Sequence, residues 1–262
     1  MQMLDPQSVL YEDNHLLVVD KPAGIVTQGA KPDEASMAKL AASYLKRKYS
    51  KPGNVFVGVV SRLDSRVSGV LILARTSKAA SRISDQIRRQ QMQKRYLACV
   101  EGELDGFSEA TEVVHWMKKN DSMHRMEVVN APIESKRPKT NKQPASAGKT
   151  SAYPIQQARL ELRVIGRAAN CTLVEVNLIT GRKHQIRVQL AELGFPILCD
   201  TKYGAHFSAK GRPRSKSEQS GIALHCVRQQ VKHPTRDEVL EFCSAPNQHW
   251  GFVPQPVLEL VP

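Results

Sequence analysis

The chain has 262 residues, 38 of them Lys or Arg and 25 Asp or Glu, which gives a formal net charge of +13. A chain this long buries roughly three-quarters of its unfolded surface and needs neither a disulfide nor a metal to hold a core; with 41% hydrophobic and 24% charged residues, wholesale disorder is excluded. Its apolar runs, such as 55–60 and 70–74, fall far short of the roughly 18 residues that a helical membrane span requires.

The first 14 residues carry three acids and no Lys or Arg, unlike a secretory signal or an Arg-rich transit peptide. Residues 16–20 form a β-rich run, ended by the turn signal Lys21-Pro22-Ala23-Gly24. Two short apolar strands, 55–60 and 70–73, flank the polar segment 61–68, which puts Arg62 and Asp64 on a connection between buried strands. Residues 77–93 have helical spacing, with Ser77 as the expected N-cap. Residues 95–100 return to strand character, with Tyr96, Ala98 and Val100 on one face. Further strands are expected at 113–116, 125–129, 153–164 and 171–179. Gly181 is expected to open a helix that buries Ile186, Leu190 and Leu193 and stops at Gly194 and Pro196. A late strand alternates through Ile222, Leu224 and Cys226. No internal repeat and no clean linker appear. The expected architecture is one α+β domain over 1–262, with a large mixed, mainly antiparallel sheet flanked by helices and loops.

Five cysteines, odd in number and never in a C-x-x-C pair, read as reduced and mostly buried residues of a cytoplasmic protein. The sequons at Asn120 and Asn170 are then chance matches. Positive charge is concentrated within two inserted loops, about 131–150 and 201–218. Residues 136–149 hold five basic residues and no acid, and Lys202, Lys210, Arg212, Arg214 and Lys216 follow in the second loop. A charge run is most often a solvated face, but two such loops and a basic helix together favour a nucleic-acid partner.

Gly148-Lys149-Thr150 resembles the end of a phosphate-binding loop, but Gln143 stands where Gly is needed and no apolar strand leads in. No dinucleotide fingerprint, zinc spacing or serine-nucleophile elbow occurs, so no metal or cofactor is expected. Three segments remain. Asp64, between Arg62 and Arg66, reads either as an ionised functional carboxylate or as a turn residue capping the next element. Lys94-Arg95-Tyr96 reads as a functional pair or as a Tyr packed on a sheet. Residues 180–187 place cations at a helix start, where they oppose the helix dipole. An anion should compensate them, with a bound phosphate or the Asp64 carboxylate as candidates.

Together these segments resemble the RluA-type pseudouridine synthases over almost the whole chain. Lys21-Pro22-Ala23-Gly24 is similar to the family's opening motif, and Arg62-Leu63-Asp64 with Ser68-Gly69 to its catalytic segment. Lys94-x-Tyr96-x-Ala98-x-Val100-x-Gly102 resembles the second motif and Gly181-Arg182-Lys183-His184-Gln185-Ile186-Arg187 the third. Leu193-Gly194-x-Pro196-Ile197, Asp200 and Tyr203-Gly204 follow at the family's spacing. Departures are Ser61, Ser65, Arg66 and Val67 around the catalytic segment, with Gln28, Gln189 and Cys199 elsewhere.

The resemblance implies a central RNA-binding cleft and isomerisation of uridine in structured ribosomal or transfer RNA. It implies Asp64 as the essential carboxylate, acting as nucleophile at the ribose or as base at C2′, with Arg187 paired to it. Tyr96 is implied to stack on the uracil and to help remove its C5 proton, and Arg62 to fill the space left by a flipped base. Leu63, Lys94, Arg182, Lys183, His184 and Gln185 are implied RNA contacts. A monomer without the S4 domain of many relatives is expected. The rival reading is a catalytically inactive RNA-binding or chaperone protein with the same fold.

Overall fold

The structure, a computed structural model, describes residues 3–29, 34–131, 154–206 and 221–262. Most of loop 131–150 and of loop 201–218, with nearly all their expected RNA-tracking cations, therefore lies outside the described residues.

In chain order the elements are β1 (Val9–Glu12), β2 (Leu16–Lys21), α1 (Met37–Lys48), β3 (Gly58–Val59), β4 (Ser68–Ala74), α2 (Ser77–Arg88), β5 (Gln93–Glu101), β6 (Thr111–Asn120), β7 (Arg125–Val129), β8 (Gln156–Ala168), β9 (Cys171–Leu178), α3 (Gln185–Glu192), β10 (Leu224–Lys232), β11 (Val239–Cys243) and α4 (Gln255–Leu258). One 11-stranded sheet runs β1-β2-β4-β10-β5-β9-β8-β6-β7, with β3 also pairing β4 and β11 pairing β10. Every pairing is antiparallel except β10 against β4.

Burial explains which runs became central. Every residue of β4 is buried, as are four consecutive residues of β2, because apolar side chains on both faces of a strand need cover on both sides. Helix α2 supplies part of that cover over β4 and β10 through Ala79 and Ile83. Helix α1, with no counterpart among the sequence expectations, buries Met37, Leu40, Ala41 and Leu45, and Ser36 Oγ caps it by accepting from Lys39 N–H.

Several expected boundaries are corrected. Helix α2 is capped by Thr76, whose side chain accepts from Ala79 N–H, and Ser77 is already helical. It stops at Arg88, short of 93, and Gln90 turns the chain at φ +56°. The run 55–60 pairs only at Gly58–Val59. Helix α3 starts at Gln185, four residues beyond Gly181, because His184 adopts φ +54° and cannot continue a right-handed helix backward.

The strand β10 is the seam of the sheet. It lies between β4 on one side and β5 on the other, and Cys226 aligns with both Gly69 and Tyr96. Gly69 sits at φ +111°, and a Cβ there would lie 2.3 Å from the Cys226 carbonyl oxygen. Only glycine fits this approach. A second, smaller apolar cluster of Met117, Ala158, Val188 and Tyr203 lies apart from the main core.

Cys99, Cys171, Cys199 and Cys226 are buried, Cys243 is exposed, and all five are free thiols. Among the described residues no helix is long and apolar enough to cross a membrane.

Candidate active site

Asp64 lies on the segment between β3 and β4, and its two carboxylate oxygens do different work. Oδ1 accepts from Arg66 N–H at 3.1 Å and from Ser65 Oγ at 3.2 Å, while the Asp64 carbonyl accepts from Val67 N–H. That is a side-chain-stabilised turn. Oδ2 points the other way, 2.5 Å from Arg187 Nη1 and 3.0 Å from His184 Nε2. Asp64 therefore caps the turn through one oxygen and faces Arg187 and His184 through the other.

The turn is clamped by the opening motif. Gly24 N–H donates to the Ser65 carbonyl at 2.7 Å, and Lys21 Nζ reaches the same carbonyl at 3.4 Å and the Pro22 carbonyl at 2.7 Å. Thr27 Oγ1 donates to the Leu63 carbonyl and accepts from Leu63 N–H. Lys21 is fully buried, and burial lowers its pKa to about 7 against the opposing charges of Asp64 and Asp20.

Arg187 projects from α3 and uses three donors on two carboxylates. Nε and Nη2 each bond Asp200 at 2.6 Å, a bidentate fork, while Nη1 takes Asp64. Asp200 is fully buried and Arg187 only 3% exposed. Arg66 adds a second cation 3.9 Å from Asp200 and donates to the Cys199 and Gly221 carbonyls. Burial alone would raise the Asp64 pKa, but the His184 hydrogen bond and the Arg187 charge outweigh it and hold the carboxyl well below the usual range. The Asp64 carboxylate, one of the two anions expected to compensate the cationic helix start, lies against His184 and Arg187.

Tyr96 stands on β5, aligned with Cys226 and Val176 across its two neighbouring strands. It is 5% exposed, and no hydrogen bond joins it to Asp64 among the described residues. Burial, reinforced by the neighbouring Cys226 thiol, pushes its hydroxyl well above the usual tyrosine pKa. Lys94 is half-buried beside the same thiol, and burial lowers its pKa.

The remaining expected RNA contacts divide sharply. Arg62 and Lys183 are exposed, with neither hydrogen bond nor ion pair among the described residues, and Arg182 is exposed with Nε on the Gln157 carbonyl. Leu63 is corrected to a core residue, 6% exposed in the main apolar cluster. Gln185 is also buried: its amide oxygen accepts from Thr180 Oγ1 and Arg182 N–H and its NH₂ donates to the Arg159 carbonyl, which locks the turn before α3. His184 lies between Asp64 and Tyr203, with its side chain 14% exposed. Asp200, Tyr203, Lys21 and Thr27 were given no role at the sequence level. Asp200 and Tyr203 lie in the stretch that follows the family's spacing, which was their only signal. No group of three His, Cys, Asp or Glu among the described residues is arranged to hold a metal.

The sequence model of the family described as RNA pseudouridylate synthase matches residues 15–192, a stretch that holds Asp64, Tyr96 and Arg187. The chain belongs to that family. The uncharacterized RNA pseudouridine synthase YhcT of Bacillus subtilis is 30% identical over 233 residues, covering 88% of this chain and 66% of its own. The ribosomal large subunit pseudouridine synthase C of Haemophilus ducreyi is 28% identical over 93% of this chain and 66% of its own. This family member thus spans a little under two thirds of those relatives' length. The fold matches that of human RNA pseudouridylate synthase domain containing 4, with a TM-score of 0.67 and 21% identity over 97% of this chain and 91% of that one. It also matches human RNA pseudouridylate synthase domain containing 1, with a TM-score of 0.61 and 23% identity over 90% and 82% of the two chains.

Proposed function

We propose that this protein is an RNA pseudouridine synthase that isomerises uridine in structured RNA, working in the cytoplasm as a monomer with no metal or dinucleotide. The single observation that carries the proposal is Asp64, an ionised carboxylate 17% exposed at its side chain, aimed by Arg187 and His184 and flanked by the exposed Arg62. Family membership supports the reaction class. The single sheet linking all the described strands supports reading the chain as one catalytic unit.

In this reaction the N1–C1′ bond breaks, uracil rotates, and a C5–C1′ bond forms. The C5 proton is lost and N1 regains a proton, so no oxidant, reductant or ATP is consumed. Asp64 serves either as the nucleophile at C1′ or as the base at C2′, and its ionised state suits both. One carboxylate suffices because the base is never lost to water, unlike in a glycosidase with its paired carboxylates. Tyr96 presents a buried ring for stacking, and its raised hydroxyl pKa keeps the phenol neutral at physiological pH.

Arg62 has the freedom that a helix-invading residue needs. Flipping a base costs a few kcal/mol, and a planar cation can offset this by stacking and by contacting phosphate. Arg62→Ala should therefore slow turnover on a stem-loop roughly 10-fold more than on an unpaired strand of the same sequence. Equal losses on the two substrates would remove the flipping role.

The Haemophilus ducreyi relative is named for the large ribosomal subunit, so ribosomal RNA is the first substrate to test, with transfer RNA second. The proposal is tested by tritium release from RNA labelled at uridine C5. Release from at least one of the two RNA classes is expected. Release from neither, with RNA still bound, would overturn it in favour of a non-catalytic RNA-binding protein.

A further inference from the structure

His184 carries a conformational cost that its position does not repay. It sits at φ +54°, ψ +22°, at the head of α3, and its side chain makes no capping hydrogen bond to the helix. A non-glycine residue in this region costs on the order of 1 kcal/mol. What the backbone achieves there is to aim the imidazole between two side chains: Nε2 lies 3.0 Å from Asp64 Oδ2 and Nδ1 lies 2.7 Å from Tyr203 Oη.

Tyr203 favours one direction for these bonds. Its hydroxyl oxygen accepts from Met126 N–H at 3.2 Å, a group that can only donate. Among the described residues His184 Nδ1 is the acceptor within reach of its one proton, and donation from Oη–H to Nδ1 is the arrangement that uses it. That nitrogen is then the lone-pair nitrogen of a neutral imidazole, and Nε2 carries the hydrogen. The Nε2–H donates to Asp64 Oδ2 beside Arg187 Nη1. Tyr203 is also held from its other sides: Arg187 lies over its ring face at 4.9 Å and His184 meets it edge-on with ring centroids 5.7 Å apart. Burial raises the Tyr203 pKa, in keeping with a phenol that still has a proton to give.

We propose that Tyr203 is a positioning residue that fixes His184 as the neutral Nε2–H tautomer, so that the imidazole aims Asp64 without adding a second positive charge to it. The proposal rests on Asp64 being the reactive carboxylate. Its chemical sense is a limit on stabilisation. Arg187 already keeps Asp64 ionised, and an imidazolium at 3.0 Å would draw the carboxylate's electrons away from a ribose carbon or proton. A neutral N–H directs the oxygen at a smaller cost in basicity.

The first measurement uses the wild-type protein and no substrate. Two-bond proton–nitrogen correlation spectra of the imidazoles at neutral pH, with His184 assigned by its loss in His184→Gln, should show Nδ1 unprotonated and Nε2 protonated. A proton on Nδ1, in either the other tautomer or the imidazolium, would overturn the proposal. The second is Tyr203→Phe, which keeps the ring under Arg187 and removes only the hydroxyl. It should lower kcat about 10–100-fold, leave KM for RNA nearly unchanged, and convert the His184 signal to a mixture of tautomers. His184→Gln, which retains a neutral N–H donor, should outperform His184→Ala. A Tyr203→Phe enzyme with wild-type kcat, or one with an unchanged His184 spectrum, would refute the role. If the wild-type protein releases no tritium from any RNA, the functional reading fails by itself, while the spectra still decide the tautomer.

Discussion

Asp64→Asn is expected to abolish isomerisation, with tritium release falling roughly 10⁴-fold or more, while RNA affinity stays within a few-fold. The division of labour between the two oxygens explains why an isosteric change is so damaging. With its carbonyl toward Arg66 N–H, asparagine keeps the turn but sets its NH₂ against the Arg187 and His184 donors. Flipped, it satisfies those donors and sets the NH₂ against Arg66 N–H. Neither orientation leaves an ionised oxygen. A second consequence concerns acid. The folded state holds the Asp64 pKa well below its ordinary 3.8, so its stabilising contribution is complete above about pH 4 and is lost as pH falls toward the folded value. Turnover should accordingly show no acid limb from Asp64 above about pH 4, and urea unfolding of Asp64→Asn should depend less on pH below it. Turnover by the variant near the wild-type rate would sink the assignment.

Arg187→Lys should be nearly as severe, although it preserves the charge. The guanidinium spans two carboxylates through three fixed donors, and an ammonium on a flexible stem cannot reproduce the fork on Asp200 while reaching Asp64. The expected result is a loss of at least about 100-fold in kcat, because a misaimed reacting group is costly even at small displacement. Arg187→Ala goes further. It leaves the wholly buried Asp200 with the 3.9 Å approach of Arg66 as its one ion pair among the described residues, and should cost about 3–5 kcal/mol in unfolding free energy. An Arg187→Lys enzyme within a few-fold of wild type would mean that Asp64 needs charge nearby but no particular geometry.

Much of this was legible in the residues. The apolar runs around 16–20, 70–73 and 95–100 became central strands because side chains of that kind on both faces have nowhere else to go. Of the polar segment 61–68, residues 61–67 emerged as a loop carrying Asp64 for the complementary reason: they have charge and turn formers where the flanks have Val and Leu. Helix α1 carries the same kind of signal, with Ser36 as a cap and Met37, Leu40, Ala41 and Leu45 at helical spacing. Other features could not be read locally. The helix start was misplaced because Gly181 looks like a beginning, whereas the deciding event is the left-handed turn of His184, held by partners 120 and 19 residues away in the chain. Gln185 and Leu63 sit in motifs rich in functional residues, and no spacing distinguishes a side chain facing RNA from one locked inside. Asp200 has no local signature of its role, since its partner is fixed only when α3 and the segment after it fold against each other.

The position of β10 has a consequence for when the site comes into being. The group β1-β2-β4, leading out of the Asp64 loop, and the group β5-β9-β8-β6-β7, carrying Tyr96, are joined in the sheet only through β10, which ends at Lys232. A chain being synthesised can assemble each group early from near neighbours, but the ladder that unites them waits for a strand encoded some 150 residues after β4, the kind of long-range closure that makes folding slow. A nascent or truncated chain lacking β10 would therefore carry its aspartate without holding Asp64 and Tyr96 in register, so the proposed isomerisation would wait for the last long strand of the sheet.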